Sequence, residues 1–159
     1  MPILSKLQDF LDRNHVSYGH TVHRPTFTAR QLAHAEHVPE REVAKTVVFV
    51  GDGCYGLAVL PADCLADLGE LRELLGLSRL RLATERELSA LFSDSEPGAE
   101  PPFGNLYGVP VYVDESLCAE DLIAFNAGSH RDAVHMRVRD FVRLVQPEIV
   151  PFSHFEYGN

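Results

Sequence analysis

The chain has 159 residues, of which 45% are apolar and 23% charged, with a net charge of −9. That composition is globular and excludes a disordered chain, a collagen and a coiled coil, and no apolar run reaches the ~18 residues of a membrane span. The acidic balance, without a dense basic run, argues against generic DNA binding but leaves room for a small contact with an RNA end.

In chain order, Leu4, Leu7 and Leu11 recur at helical spacing and predict a helix over Ile3–Arg13. This start lacks the basic and apolar regions of a signal peptide. Val16, Tyr18, His20 and Val22 alternate as a short strand, which Arg24-Pro25 breaks. Thr28 and Gln31 form a capping box for a helix to about His37. Thr46–Val50 is β-branched, Gly51-Asp52-Gly53 turns it, and Cys54–Leu60 returns, which makes a hairpin. Asp67 with Glu70 caps a helix to Leu75, ended by Gly76, and Thr84 with Glu87 caps another to about Phe92, with Leu80 and Leu82 as a strand between.

Ser93–Asn105 is a loop with three prolines and two glycines in thirteen residues. Strands follow at Val109–Val113, Leu122–Phe125 and Ala133–Met136, then an amphipathic helix over Val138–Val145 ended by Pro147. The tail from Glu148 to Asn159 is aromatic but aperiodic. The sum is an α+β chain of one domain, residues 1–159. Its expected core is a curved, mixed, largely antiparallel sheet of about six or seven strands with helices around it.

Cys54, Cys64 and Cys118 form no C-x-x-C pair and read as buried small residues of a reduced, cytoplasmic protein. His34 and His37 could share a helix face, but no matching motif accompanies them, so no metal site is expected. There are twelve arginines and only two lysines, which draws attention to Lys45 at the entrance of an apolar strand. An ammonium there is either solvated at the rim or partly desolvated and able to hold a phosphate or carboxylate. The Gly98-x-x-x-Pro102 loop with Phe103-Gly104 is either a plain linker or a stiff frame that lets a ligand approach main chain. Asn126-Ala-Gly-Ser-His130 is either an ordinary turn or a source of backbone donors.

In their order and separation, several of these segments resemble the YbaK-like, prolyl-tRNA-synthetase-associated editing domain. They are His23-Arg-Pro-Thr-Phe-Thr28, Val43-Ala-Lys-Thr-Val-Val48, Gly98 to Pro102 with Phe103-Gly104, Phe125-Asn-Ala-Gly128 and Ala133-Val-His-Met136. The resemblance runs from about residue 5 to 152 and is nearest to the freestanding YeaK-like branch. It implies a trans-acting deacylase that hydrolyses the ester of mischarged tRNA, with the aminoacylated tRNA 3′ end as partner and neither metal nor cofactor.

On this resemblance Lys45 is the hallmark residue and clamps the terminal phosphate or adenosine, while the Gly98–Pro102 loop closes on the substrate. Backbone N–H groups near Gly98 and Gly128 would meet the carbonyl or oxyanion. Thr28 and Ser129 would line the pocket beside Pro102 and Phe103, and His130 would either carry a proton or stand as an exposed turn histidine. The cysteine-clearing branch has a Tyr near Thr21 and an Asp near Ala133. Neither stands here, although Asp132 is one residue away, and this points away from cysteine. Glu100 adds an acid to the loop, placed either to repel RNA or to meet an amino group. Two rival readings are a non-catalytic module that binds an RNA end or a protein, and a hydrolase of small aminoacyl esters.

Overall fold

The computed structural model describes residues 3–156. Helix α1 (Ile3–Arg13) buries Ile3, Leu7 and Leu11, the stripe its leucine spacing predicts. Strand β1 (Tyr18–Val22) is a largely exposed edge rather than a half-buried strand, and Val16 is buried just before it. Helix α2 (Ala29–Glu36) starts at Thr28, whose side chain accepts from the Gln31 amide. Gln31 reaches past the cap to the Phe27 amide (2.9 Å), so only half of the predicted box forms.

Strands β2 (Ala44–Gly51) and β3 (Cys54–Pro61) pair along their full length, with Gly51 opposite Cys54. Asp52 (φ 49°) and Gly53 (φ +84°) are both left-handed, as a two-residue hairpin loop with right-twisted strands requires. The remaining elements are β4 (Cys64–Ala66), α3 (Leu68–Leu74), β5 (Leu80–Leu82), α4 (Glu85–Leu91), β6 (Val111–Asp114), β7 (Leu122–Asn126), β8 (Asp132–Arg137), α5 (Val138–Val145), β9 (Glu148–Val150) and β10 (Ser153–Phe155). At Thr84 and Glu87 the full capping box is present.

The expected single sheet is divided. A five-stranded sheet runs β5-β2-β3-β6-β9, antiparallel at β5-β2-β3 and parallel at β3-β6-β9. A three-stranded antiparallel sheet runs β1-β8-β7, and β4 pairs with β10. The extra strands β4, β9 and β10 have three residues each and, unlike Leu80-Arg81-Leu82 in β5, no apolar–polar alternation to mark them. The β4–β10 pair is fastened from the five-stranded sheet by the buried Asp114, whose Oδ1 accepts from the amides of Phe152 (2.9 Å) and Ser153 (2.8 Å).

The two larger sheets touch at one parallel bridge, Val43 to Ala124, where the chain enters β2 and β7 passes by. The main core lies between α1, α5 and the sheets, around Leu57, Val59, Val113, Phe125, Val134 and Phe141. A smaller cluster of Leu32, Ala33, Val43, Ala62 and Ala133 packs α2 over the seam. Cys64 is buried and Cys118 half-buried, but Cys54 is exposed at the hairpin; all three are free thiols.

Candidate active site

The seam between the sheets ends in a small cavity of about 50 Å³. The strand start supplies Val43, Ala44, Lys45 and Thr46, and the beginning of α2 supplies Phe27, Thr28, Ala29 and Leu32. Gly98 and Glu100 close it from the long loop, and Asn126 from the end of β7. Three of the predicted site residues, Lys45, Thr28 and Gly98, are thus brought together.

Lys45 lies opposite Leu60 in the hairpin and is half-buried. Burial pulls its pKa below the ordinary lysine value, although Glu156, Cys64 and Asp63 pull the other way; Arg30 adds to the fall. Arg30 itself is held by Glu40 (3.1 Å) and Glu156 (3.3 Å). Among the described residues no hydrogen bond or ion pair occupies the Lys45 ammonium.

The long loop is not a free flap in this structure but is laced to the turn after β7. The Gly128 amide donates to the Ala99 carbonyl (2.9 Å), the Glu96 amide to the Gly128 carbonyl (2.8 Å), and the His130 amide to Glu96 Oε1 (2.8 Å). This lacing corrects several expectations. The Gly128 N–H is spent on Ala99, and the Gly98 N–H is spent on Glu100 Oε1 (3.0 Å), so neither is free to meet an oxyanion. Gly98 lies on the cavity wall through its backbone, whereas Gly128 packs against Ile3.

Ser129 Oγ donates to Asp132 Oδ2 (2.6 Å) and accepts from the amides of Arg131 (3.1 Å) and Asp132 (3.0 Å), which locks the turn into β8 rather than lining the cavity. His130 stacks on Phe27 with ring centroids 5.0 Å apart, and its Nε2 donates to the Pro97 carbonyl (3.0 Å). That bond ties the ring to the loop, so His130 braces it, while its Nδ1 is buried with no hydrogen-bond partner among the described residues. Pro102 is buried outside the cavity lining. Phe103 is fully buried in the main core, with Phe10, Phe125 and Phe141 at 6.2, 5.6 and 5.5 Å, and is an anchor for the loop rather than a contact for substrate.

Asn126, Phe27 and Leu32 are cavity residues that sequence reasoning did not single out. Asn126 was visible only as part of a turn; its place follows from the strand register that ends β7 beside the bridge to Val43. His34 and His37 are exposed along a separate cleft with His23, Arg24, Glu36 and His135. In that cleft Glu36 takes hydrogen bonds from Thr21 and from His135 (2.6 Å), which hold its carboxyl below the usual range although burial pushes it up. Among the described residues, one set stands close enough to share a metal ion, Asp67, Glu70 and His154, and none of them lines the Lys45 cavity.

The frame and the cavity define an α+β domain with a small pocket lined by a strand lysine and by Gly98 and Glu100 of the long loop. The comparisons with known proteins make that class specific. Residues 23–144 match the model of the aminoacyl-tRNA editing domain, and the chain belongs to that family.

It is 38% identical over 97 residues to the multifunctional Ser/Thr-tRNA deacylase ProXp-y of Escherichia coli strain K12, covering 60% of this chain and 58% of that protein. It is 31% identical over 119 residues to a proline–tRNA ligase of Leuconostoc citreum, covering 75% of this chain and 20% of the ligase. The aligned part therefore spans a little over half the length of the deacylase and a fifth of the ligase. Among solved structures, one provisionally assigned as a trans-editing enzyme for prolyl-tRNA synthetase superposes with a TM-score of 0.83 at 24% identity, covering 97% of this chain and 98% of that one. That likeness is one of fold.

Proposed function

We propose that this chain is a trans-acting aminoacyl-tRNA deacylase, one editing domain over residues 1–159. It would take the aminoacylated 3′ end of a mischarged tRNA and hydrolyse the ester to the terminal adenosine. The observation that carries the reading is the cavity at the sheet seam. There a partly desolvated Lys45, without a hydrogen bond or ion pair among the described residues, lines one cavity with the Gly98 loop in a chain of the editing family.

A cavity of about 50 Å³ has room for only a few heavy atoms, which supports a small amino acid such as alanine, serine or threonine. The name of the E. coli relative supports the two hydroxyl side chains. Phe27 is 72% exposed at the rim and offers a ring face on which an unpaired base can stack. Lys45 supplies a charge-assisted contact to a phosphate or to the ester oxygens.

With the amides of Gly98 and Gly128 already engaged, the donors for the developing oxyanion are sought at the start of α2. The Gln31 amide is capped by Thr28, and the amides of Ala29 and Arg30 have no carbonyl partner within the helix. An aminoacyl ester is labile, so orienting the ester and a water contributes much of what is needed. The reading places the protein in the cytoplasm and assigns it neither DNA nor a membrane as partner. No helix among the described residues is long and apolar enough to cross a membrane.

The test is deacylation of a panel of tRNAs charged with alanine, serine, threonine or cysteine, at enzyme concentrations far below that of the substrate. Turnover on at least one of the first three is expected, unchanged by chelators. Absence of turnover on the whole panel returns the chain to a binding module, and salt-insensitive hydrolysis of free aminoacyl esters alone makes it an esterase.

A further inference from the structure

Glu100 is 3% exposed, and it lines the cavity. Its Oε1 accepts from the Gly98 amide at 3.0 Å. A buried carboxylate is normally paired with a cation, because burial disfavours the charged form. Among the described residues no Lys, Arg or His makes an ion pair with Glu100, and burial raises its pKa against the pull of the two loop amides and of His130. The same cavity is lined by Asn126, whose Oδ1 is buried and has no hydrogen-bond donor among the described residues. The cavity thus holds a carboxylate without a cation and an amide oxygen without a donor.

We propose that Glu100 is the residue that recognises the α-ammonium of the aminoacyl ester, with Asn126 Oδ1 as a second acceptor. This deepens the deacylase reading and rests on it. An aminoacyl ester carries one positive charge, on the ammonium attached to the carbon next to the scissile carbonyl. An ammonium brings three donors and no acceptor. Seated between Glu100 and Asn126 it pairs the buried charge, satisfies the orphaned oxygen, and leaves the ester and the phosphate side toward Lys45. The Gly98 amide already fixes the carboxylate, so the acceptor is preorganised by the loop that closes the cavity.

The experiment compares alanyl-, seryl- and threonyl-tRNA with their α-hydroxy counterparts, made by nitrous-acid deamination. The counterparts keep size and shape but lose the charge. Each enzymatic rate is divided by the spontaneous rate of the same ester. The wild-type protein is expected to prefer the ammonium form at least tenfold, the worth of one charge-assisted hydrogen bond. Glu100→Gln keeps an acceptor for the Gly98 amide. It is expected to lose about tenfold on the ammonium form, to leave the hydroxy form unchanged, and so to erase the preference; Glu100→Asp is expected to restore part of it.

A wild-type protein that clears both forms equally overturns the proposal without any variant. A Glu100→Gln protein whose two rates fall together, or whose preference survives, overturns it as well. If the wild type clears none of the six esters, the deacylase reading itself fails and takes the inference with it.

Discussion

Gly98 and Gly128 stand on loops that are laced to each other, and both need glycine for the same backbone reason: φ is +88° and +97°. Both have also spent their amides on neighbouring carbonyl or carboxylate oxygens. They part company at the missing side chain. A Cβ on Gly98 would meet only the His130 ring, nearest at Cε1 3.6 Å away, an ordinary contact, whereas one on Gly128 would stand 2.3 Å from Ile3 Cγ2. Two turns that look alike as sequence therefore do different work. The first is cavity wall, and the second is the joint that holds the wall against helix α1.

The comparison is sharpest where the long loop runs into the core. Phe103→Ala is expected to cost about 3–5 kcal/mol, since a fully buried ring in a four-phenylalanine cluster leaves a cavity on truncation. Urea unfolding reads it. A loss under 1 kcal/mol, with deacylation impaired, would return Phe103 to the substrate side.

Next comes Gly128→Ala, where left-handed strain of ~1–2 kcal/mol adds to overpacking of ~1–3 kcal/mol against the buried, β-branched Ile3. Gly98→Ala carries the strain without the clash, so its melting temperature is expected to fall by less than half as much. Equal losses would mean that the two turns are not wall and joint.

What could be read from the residues follows the length of each pattern. The eight residues Val138–Val145 form a helix with the predicted bounds, and the hairpin turn expected over Gly51-Asp52-Gly53 closes on Asp52-Gly53 alone because Gly51 pairs with Cys54. Strands β4, β9 and β10 have three residues each and lack the apolar–polar alternation that marks the equally short Leu80-Arg81-Leu82, so the division into three sheets was hidden. At the site, Lys45 drew notice as a lone lysine at the entrance of an apolar strand, and the structure places it in the cavity lining. Which face of a loop residue meets the cavity and which meets the core is a tertiary fact. That is why Phe103, Ser129 and His130 read as contacts and stand as braces, while Asn126 and Phe27 passed as turn and loop.

Lys45→Met keeps the aliphatic stem and removes the charge. Deacylation is expected to fall about 100-fold, which is ~2.7 kcal/mol of transition-state stabilisation. Stability is expected to move the other way. Burial holds the Lys45 pKa below the ordinary value, so keeping the ammonium charged in the fold costs free energy that the unfolded chain does not bear. That cost fades as pH rises through the depressed folded value toward the unfolded one, where the amine is neutral in both states. The variant should therefore melt no lower than wild type at pH 7, and its relative advantage should shrink at alkaline pH. A destabilised variant with full activity would make Lys45 a structural residue of the hairpin.

The smallest effect is expected at Ser129, on the joint side. Ser129→Ala removes a hydroxyl that bonds Asp132 Oδ2 at 2.6 Å and caps two amides, a loss of about 1 kcal/mol. Burial pushes the Asp132 carboxyl up, but the bonds from Ser129 and from His20 outweigh it and hold the group below the usual aspartate range. A depressed folded pKa contributes stability that is complete above the unfolded aspartate value and is lost as pH falls through the folded one. The difference in melting temperature between wild type and variant should thus be full at neutral pH and close below about pH 4. The deacylation rate per folded molecule should not change, because the Ser129 hydroxyl is turned into the β8 turn and away from the cavity wall. A Ser129→Ala protein that melts like wild type but deacylates tenfold more slowly would move this turn from the joint to the site.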